Sequence, residues 1–318
     1  MKIKHLVLTG GGPSGLLIYG AAKMLSKKNI WNIKEIETIY GCSIGSLMGF
    51  IFSLDYEWHI LDDYFIKRPW SKVIKNNTND IFELYSKSGL INDNIFLELI
   101  KPLLFGKNLE LDITMNELFI KTNKELHFIT SELYNGELNE IDISYKTHPE
   151  LGLITALKMS MSFPILFQPI YNDNRCYIDG GLLNMFPLNN SINNIINNYK
   201  VDNNLDKEVE VDVEENSKIL NEILAFRNRF KIEEDYNLDK DSNILNFASV
   251  LIKTIHNHLS HEDNEPHIKN TIYCELNERL SPNEWFEILD NNEMIVSLIN
   301  AGEQNGKDFY EKIKESID

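Results

Sequence analysis

The sequence predicts an α/β protein: a central, mostly parallel sheet with helices on its faces. Three observations predict it. The chain opens strand, helix, strand, helix, the alternation that parallel strands joined by crossover helices require. KHLVLT reads as a buried strand and IETIYG as a second short one, each followed by an apolar helical run. The two strand-to-helix loops, GGGPSG and GCSIG, are rich in glycine and fall where open α/β sheets hold their sites, at the carboxyl ends of strands.

At 318 residues the chain is long enough for one large domain, and 43% hydrophobic with 25% charged residues is ordinary for a globular core. The formal charge of −17 disfavours nucleic acid, whose binding rests on Lys and Arg contacts to phosphate, and disfavours electrostatic docking on an anionic leaflet. Cys42, Cys176 and Cys274 form no C-x-x-C pair and no His/Cys cluster at metal-ligand spacing, which suits a reducing compartment. The opening MKIKHLVLTGGG shows no secretory signal, and no stretch nears the ~18 apolar residues of a membrane span. The expectation is a cytoplasmic protein, soluble or peripheral at membranes.

Taken in order, Gly15 to Ser26 is predicted as the first helix, its Gly20, Ala21 and Ala22 permitting close packing; SLMGFIFSL is the second. From Tyr56 to Thr122 the pattern is mostly helical and aromatic, with Trp58, Phe65, Trp70, Phe82, Phe96 and Phe105, and with Pro69 and Pro102 as breakers. These aromatics read as core, or else as a mobile apolar lid or pocket. ELHFITSELYNGELNEIDIS predicts a hairpin turning at Asn135-Gly136. ALKMSMSFPILFQPI is a short helix stopped before Pro164, and NRCYIDGG a strand ending in a glycine turn. After Pro187 an Asn-rich, acidic stretch reads as an exposed loop or partly disordered insertion, with 202–215 as solvated acid. ILAFR is a late strand, 243–258 a helix and TIYCEL a last strand; a closing helical segment follows, with Ser281 as N-cap and Pro282 at its first position. Residues 1–318 are expected as a single domain, with 1–188 the motif-bearing core, 189–242 a variable insertion and 243–318 a helical C-terminal part.

Gly10, Gly12 and Gly15 fit the dinucleotide fingerprint G-x-G-x-x-G. That reading wants an acidic residue at the end of the second strand, about 20 residues past the glycines. The second strand ends instead in Gly41-Cys42-Ser43-Ile44-Gly45, a G-x-S-x-G between strand and helix, the context of a nucleophile elbow. Ser43 is thus the candidate nucleophile. Gly41 and Gly45 permit the sharp turn, Cys42 packs beneath it, and the N–H groups of Gly11 and Gly12 are available to an oxyanion, while Pro13 has none to give. A serine needs a base, and Asp179 ends a strand ahead of Gly180 and Gly181.

GGGPSG, GCSIG and DGG, in this order and spacing, resemble the patatin-like phospholipase family. FITSELYNGE, ALKMSMSFPILFQPI and DGGLLNMFPL are similar to its connecting segments, and coverage is good from about Lys2 to Leu188. The resemblance implies a three-layer α/β/α fold and a carboxylic ester hydrolase of phospholipase A or lysophospholipase type, with a lipid ester as substrate. Carried over, Ser43 is the nucleophile, Asp179 the base, and Gly10, Gly11, Gly12 and Ile44 the oxyanion donors, with Gly15 supporting the loop. No cofactor, metal or calcium is implied, and contact with a membrane surface would be transient and apolar.

The chain departs from the family at Ser14, where Arg or Lys is common; Ser14 is expected to cap the helix that follows. Two other readings come with this one. A catalytically impaired lipid-binding or interaction protein is favoured only by Ser14. A Ser-Asp-His hydrolase would draw on His256, His258, His261 or His267, all of which follow Asp179. His127 and His148, beside strands, read as structural.

Overall fold

A computed structural model describes residues 2–75, 88–92, 94–206, 212–230, 238, 240, 244–259, 266–276 and 282–315. Phe82, His261, Ser281 and 207–211 of the acidic stretch lie outside the described residues. The strands are β1 His5–Leu8, β2 Thr38–Cys42, β3 Gly89–Ile91, β4 Glu125–Tyr134, β5 Glu137–Ile143, β6 Ile165–Phe167, β7 Ile170–Asn172, β8 Arg175–Asp179, β9 Ile223–Phe230 and β10 Thr271–Leu276. The helices are α1 Gly15–Lys27, α2 Ile44–Ser53, α3 Trp58–Ile66, α4 Trp70–Lys75, α5 Asn94–Phe105, α6 Met115–Thr122, α7 Leu153–Met161, α8 Leu188–Asp202, α9 Val213–Asn221, α10 Ile244–Leu259, α11 Pro282–Asp290 and α12 Asn292–Glu315.

The main sheet runs β10-β9-β1-β2-β4-β8-β7, with β5 also paired to β4. β10, β9, β1, β2 and β4 are parallel; β5, β7 and β8 supply the antiparallel pairs. Along β1 the side chains alternate between two cores. Leu6 and Leu8 join the larger core with α1, α2 and Ile295 and Ile299 of α12, whereas Val7 points to a smaller one with Tyr40, Ile192, Ile195 and Ile219. Helices thus cover both faces, and the fold is a three-layer α/β/α sandwich. On the larger side, Lys23 of α1 bridges Asp62 of α3 at 2.8 Å and Glu303 of α12 at 3.0 Å.

Three elements differ from expectation. The Asn-rich stretch after Pro187 is helix α8, because Leu188, Ser191, Ile192 and Ile195 fall on one face and bury against the sheet. Asp212, from the acidic stretch, caps α9 by accepting the Glu215 N–H at 2.9 Å. Pro102 lies inside α5 instead of ending it. A proline there leaves the carbonyl four residues back unbonded, and the Arg68 guanidinium donates to that oxygen, on Glu98. β3, within the aromatic region, pairs in parallel with β6 beyond it, a strand where only helices were expected.

Candidate active site

Sheet register sets the site. Leu8 pairs with Phe226 of β9 on one side and with Gly41 of β2 on the other. Counting two residues on, Gly10, Asn228 and Ser43 fall on one level. Cys42 pairs with Ile129 of β4, so Ser43 falls level with Thr130, and Thr130 pairs with Asp179 of β8. Because β8 runs antiparallel to β4, its last residue returns to the level at which the parallel strands end. One row across the sheet therefore reads Asn228, Gly10, Ser43, Thr130, Asp179.

Ser43 links β2 to α2 with φ 52° and ψ −121°, a region that costs a side-chain-bearing residue about 1–3 kcal/mol. The turn is held from below. The Ser160 hydroxyl, fully buried on α7, donates to the Ile129 carbonyl at 2.6 Å and accepts the Ser43 N–H at 3.0 Å. With its one proton so used, it accepts from the Ser46 hydroxyl at 2.8 Å. Gly41 and Gly45 let β2 and α2 close on each other: a Cβ on Gly41 would meet Ser46 N at 2.5 Å, and one on Gly45 would overlap the Leu8 carbonyl. Cys42 is buried beneath.

Asp179 is 4% exposed. Its N–H donates to the Ser162 carbonyl at 3.0 Å, and its Oδ1 accepts the Gly181 N–H at 2.8 Å. Burial pushes the carboxyl up to about 6, against the opposing pull of hydrogen bonds from the Ser43 hydroxyl and the Gly181 N–H. Gly180 packs on the Ile129 carbonyl, where a side chain would not fit.

The glycine loop lies across from this pair. Gly10 is close to Ser43, since a Cβ built on it would be 3.4 Å from the Ser43 Cβ. Its N–H, however, donates to the Met185 carbonyl at 2.9 Å, tying the loop to the segment after Asp179. Gly10 therefore anchors the loop, its N–H committed to Met185 rather than offered to the cleft. Gly15 packs on Ile44. Ser14 does not cap α1: its hydroxyl donates back to the Gly11 carbonyl at 3.0 Å. Trp285 of α11 stands over Gly12 and packs on Phe163, giving the cleft an apolar wall.

Among the described residues, the groups that hold the Asp179 carboxyl down against burial are Ser43 and Gly181, with no histidine among them. His258 is exposed and bonded to the Thr254 carbonyl, His267 is exposed, and His256 is buried on α10. His127 sits at the opposite end of β4, between Asp142 at 2.8 Å and Glu125 at 3.0 Å. Sequence reasoning missed Ser160, Asn228, Met185 and Trp285, for each reaches the site through tertiary contact and carries no local motif.

A family model described as patatin-like phospholipase matches residues 6–191, more than half of the chain. The chain belongs to the patatin-like phospholipase family. The match spans the glycine loop, Ser43 and Asp179. A probable lipid hydrolase, 463L of Invertebrate iridescent virus 6, is 31% identical over 192 residues, 59% of this chain and 63% of that protein. An uncharacterized protein, R571 of Acanthamoeba polyphaga mimivirus, is 26% identical over 59% of this chain and 61% of its own. The chain thus spans about three fifths of the curated relatives it matches. Among solved structures, VipD from Legionella pneumophila is similar at 16% identity, covering 95% of this chain and 67% of that one with a TM-score of 0.44. ExoU of Pseudomonas aeruginosa, in its complex with SpcU, gives 14% identity, 98% and 51% coverage and a TM-score of 0.43. The patatin-like fold assigned here rests on the topology and the family match.

Proposed function

We propose that this patatin-like protein is a calcium-independent lipid acyl hydrolase working through Ser43 and Asp179. The observation that carries the reading is the sheet register that brings Ser43 level with the buried Asp179 carboxyl, which burial raises to about 6. An ordinary aspartate is too weak a base for serine; burial brings this one nearer to the working range at neutral pH. As Ser43 Oγ attacks the ester carbonyl, its proton passes to Asp179. The oxyanion that forms is met by the N–H groups of Gly11, Gly12 and Ile44, the last at the first turn of α2, where the helix dipole favours negative charge. The tetrahedral species collapses, the leaving alcohol or lyso-lipid takes the proton from Asp179, and an acyl group remains on Ser43. Water, deprotonated by the same carboxylate, releases the fatty acid. The substrate is a phospholipid or other lipid ester, presented at a membrane surface by apolar contact.

A fluorophosphonate probe tests this. Labelling of the wild type, lost in Ser43→Ala together with release of fatty acid from mixed phospholipids, is the expected result. A wild type that neither labels nor hydrolyses any of them would leave a lipid-binding protein as the better reading.

A further inference from the structure

We infer that Asn228, acting with Ser14, is a positioning residue that aims the two glycine N–H donors at the reacting oxygen. The inference deepens the hydrolase reading and rests on it.

The Asn228 amide lies at the β9 end of the cross-sheet row, on the far side of the glycine loop from Ser43. Its Nδ2 donates to the Gly10 carbonyl at 2.8 Å and to the Ser14 hydroxyl at 2.8 Å. Ser14, 1% exposed, passes the restraint on by donating to the Gly11 carbonyl at 3.0 Å. Two consecutive carbonyls are thus drawn to one side. A trans peptide is planar, and its N–H points opposite to its C=O. The Gly10 carbonyl belongs to the same peptide as the Gly11 N–H, and the Gly11 carbonyl to that of the Gly12 N–H. Pulling both oxygens toward β9 turns both donors away from it. β1 lies between β9 and β2, so away from β9 is toward the end of β2, where Ser43 sits.

Two further features fit a clamp and not incidental packing. The Asn228 Oδ1 is buried with no hydrogen-bond partner among the described residues, so the side chain is placed by what its NH2 group does, at a cost in stability. The loop also fits closely around it: Gly11 holds φ 132°, and a Cβ there would meet Asn228 Nδ2 at 2.5 Å and Ser14 Oγ at 2.6 Å. The clamp is neutral. It fixes the direction of two dipoles and adds no charge to the site.

Donors that act on the transition state alone should change kcat and leave KM in place. Removing one oxyanion donor typically costs ~10²–10³ in turnover; loosening two should cost about as much. The experiment measures kcat and KM on a soluble ester, and affinity for a trifluoromethyl ketone, for wild type, Asn228→Ala, Asn228→Asp, Ser14→Ala and the double alanine variant. Expected are a kcat lower by about 10² in both Asn228 variants, KM within about twofold, and ketone affinity falling by the same factor as kcat/KM. Because the two side chains form one relay, the double variant should lose little more than Asn228→Ala alone. A kcat per folded molecule within about threefold of wild type in Asn228→Ala overturns the inference. If Asn228→Ala does not fold, Ser14→Ala, which breaks only the second half of the relay, decides by the same measurements. Turnover that survives in Ser43→Ala would overturn the hydrolase reading itself, a result distinct from an unaltered Asn228→Ala.

Discussion

A carboxyl can be a good base or a stabilising one, and Asp179 sits where those demands conflict. Its pKa of about 6 lies well above the ordinary 3.8, chiefly through burial. In the proposed reaction Asp179 must be ionised to act as base, so kcat/KM should rise with pH through about 6 and level off above it, in a rate profile on a soluble ester. For stability the sign is reversed. The raised pKa favours the folded state fully below the unfolded pKa near 4, and that benefit is lost as pH rises through about 6. At neutral pH a buried, ionised Asp179 therefore weakens the fold by on the order of 2–3 kcal/mol. Asp179→Asn should abolish turnover yet raise the midpoint of chemical unfolding at pH 7.5, the gain shrinking to nothing below about pH 4. An Asn variant less stable than wild type at pH 7.5 would show that the hydrogen bonds from Ser43 and Gly181 outweigh burial.

At the level of elements, α1 and α12 pack backbone against backbone. A Cβ on Gly20 would overlap the Ile299 carbonyl, and one on Gly302 the Leu17 carbonyl, whereas one on Gly306 would meet the Ala21 carbonyl at 3.0 Å. Replacing an interior helical glycine by alanine gains up to about 1 kcal/mol of helix propensity. Backbone against backbone cannot yield, and overpacking costs about 1–3 kcal/mol or more, so clash wins at the first two positions. Gly20→Ala and Gly302→Ala should each lower the urea midpoint clearly, while Gly306→Ala stays within about 1 kcal/mol of wild type. Gly20 and its neighbours were legible in the sequence as a small face. Its partner was not, because nothing local in the closing helix says which helix it meets. The same divide runs through the fold. Strands and the Asn135-Gly136 hairpin show in local pattern, since burial on both faces and a two-residue turn leave a short-range signature. α8 was hidden because its asparagines dominate the composition while Leu188, Ile192 and Ile195 keep the helical period. Ser43 and Asp179 stood out as residue types in glycine turns, but Asn228 reaches the site only through the β1–β9 register, 218 residues from Gly10 in sequence.

For the whole molecule the question is how a chain of charge −17 would meet a lipid surface. The net charge disfavours Coulomb attraction to an anionic leaflet, and among the described residues no helix is long and apolar enough to cross a membrane. What remains is apolar contact, and one face offers it beside the site. Ile244, Phe247 and Leu251 of α10 are 58%, 48% and 47% exposed, spaced three and four apart so that they share a stripe. α10 packs beside the Gly180–Leu182 turn that follows Asp179. Burying what these side chains leave exposed is worth roughly 3 kcal/mol, about two decades in partitioning. Such binding carries no counterion release and no Debye screening, so salt should not weaken it. Co-sedimentation with zwitterionic phosphatidylcholine vesicles is expected to be unchanged between about 50 and 500 mM NaCl. Phe247→Asp with Leu251→Asp should reduce it about tenfold or more while leaving turnover of a soluble ester intact. Binding that fades with rising salt, or that ignores the double substitution, would place the contact elsewhere on the surface and return α10 to the role of a cover over the aspartate turn.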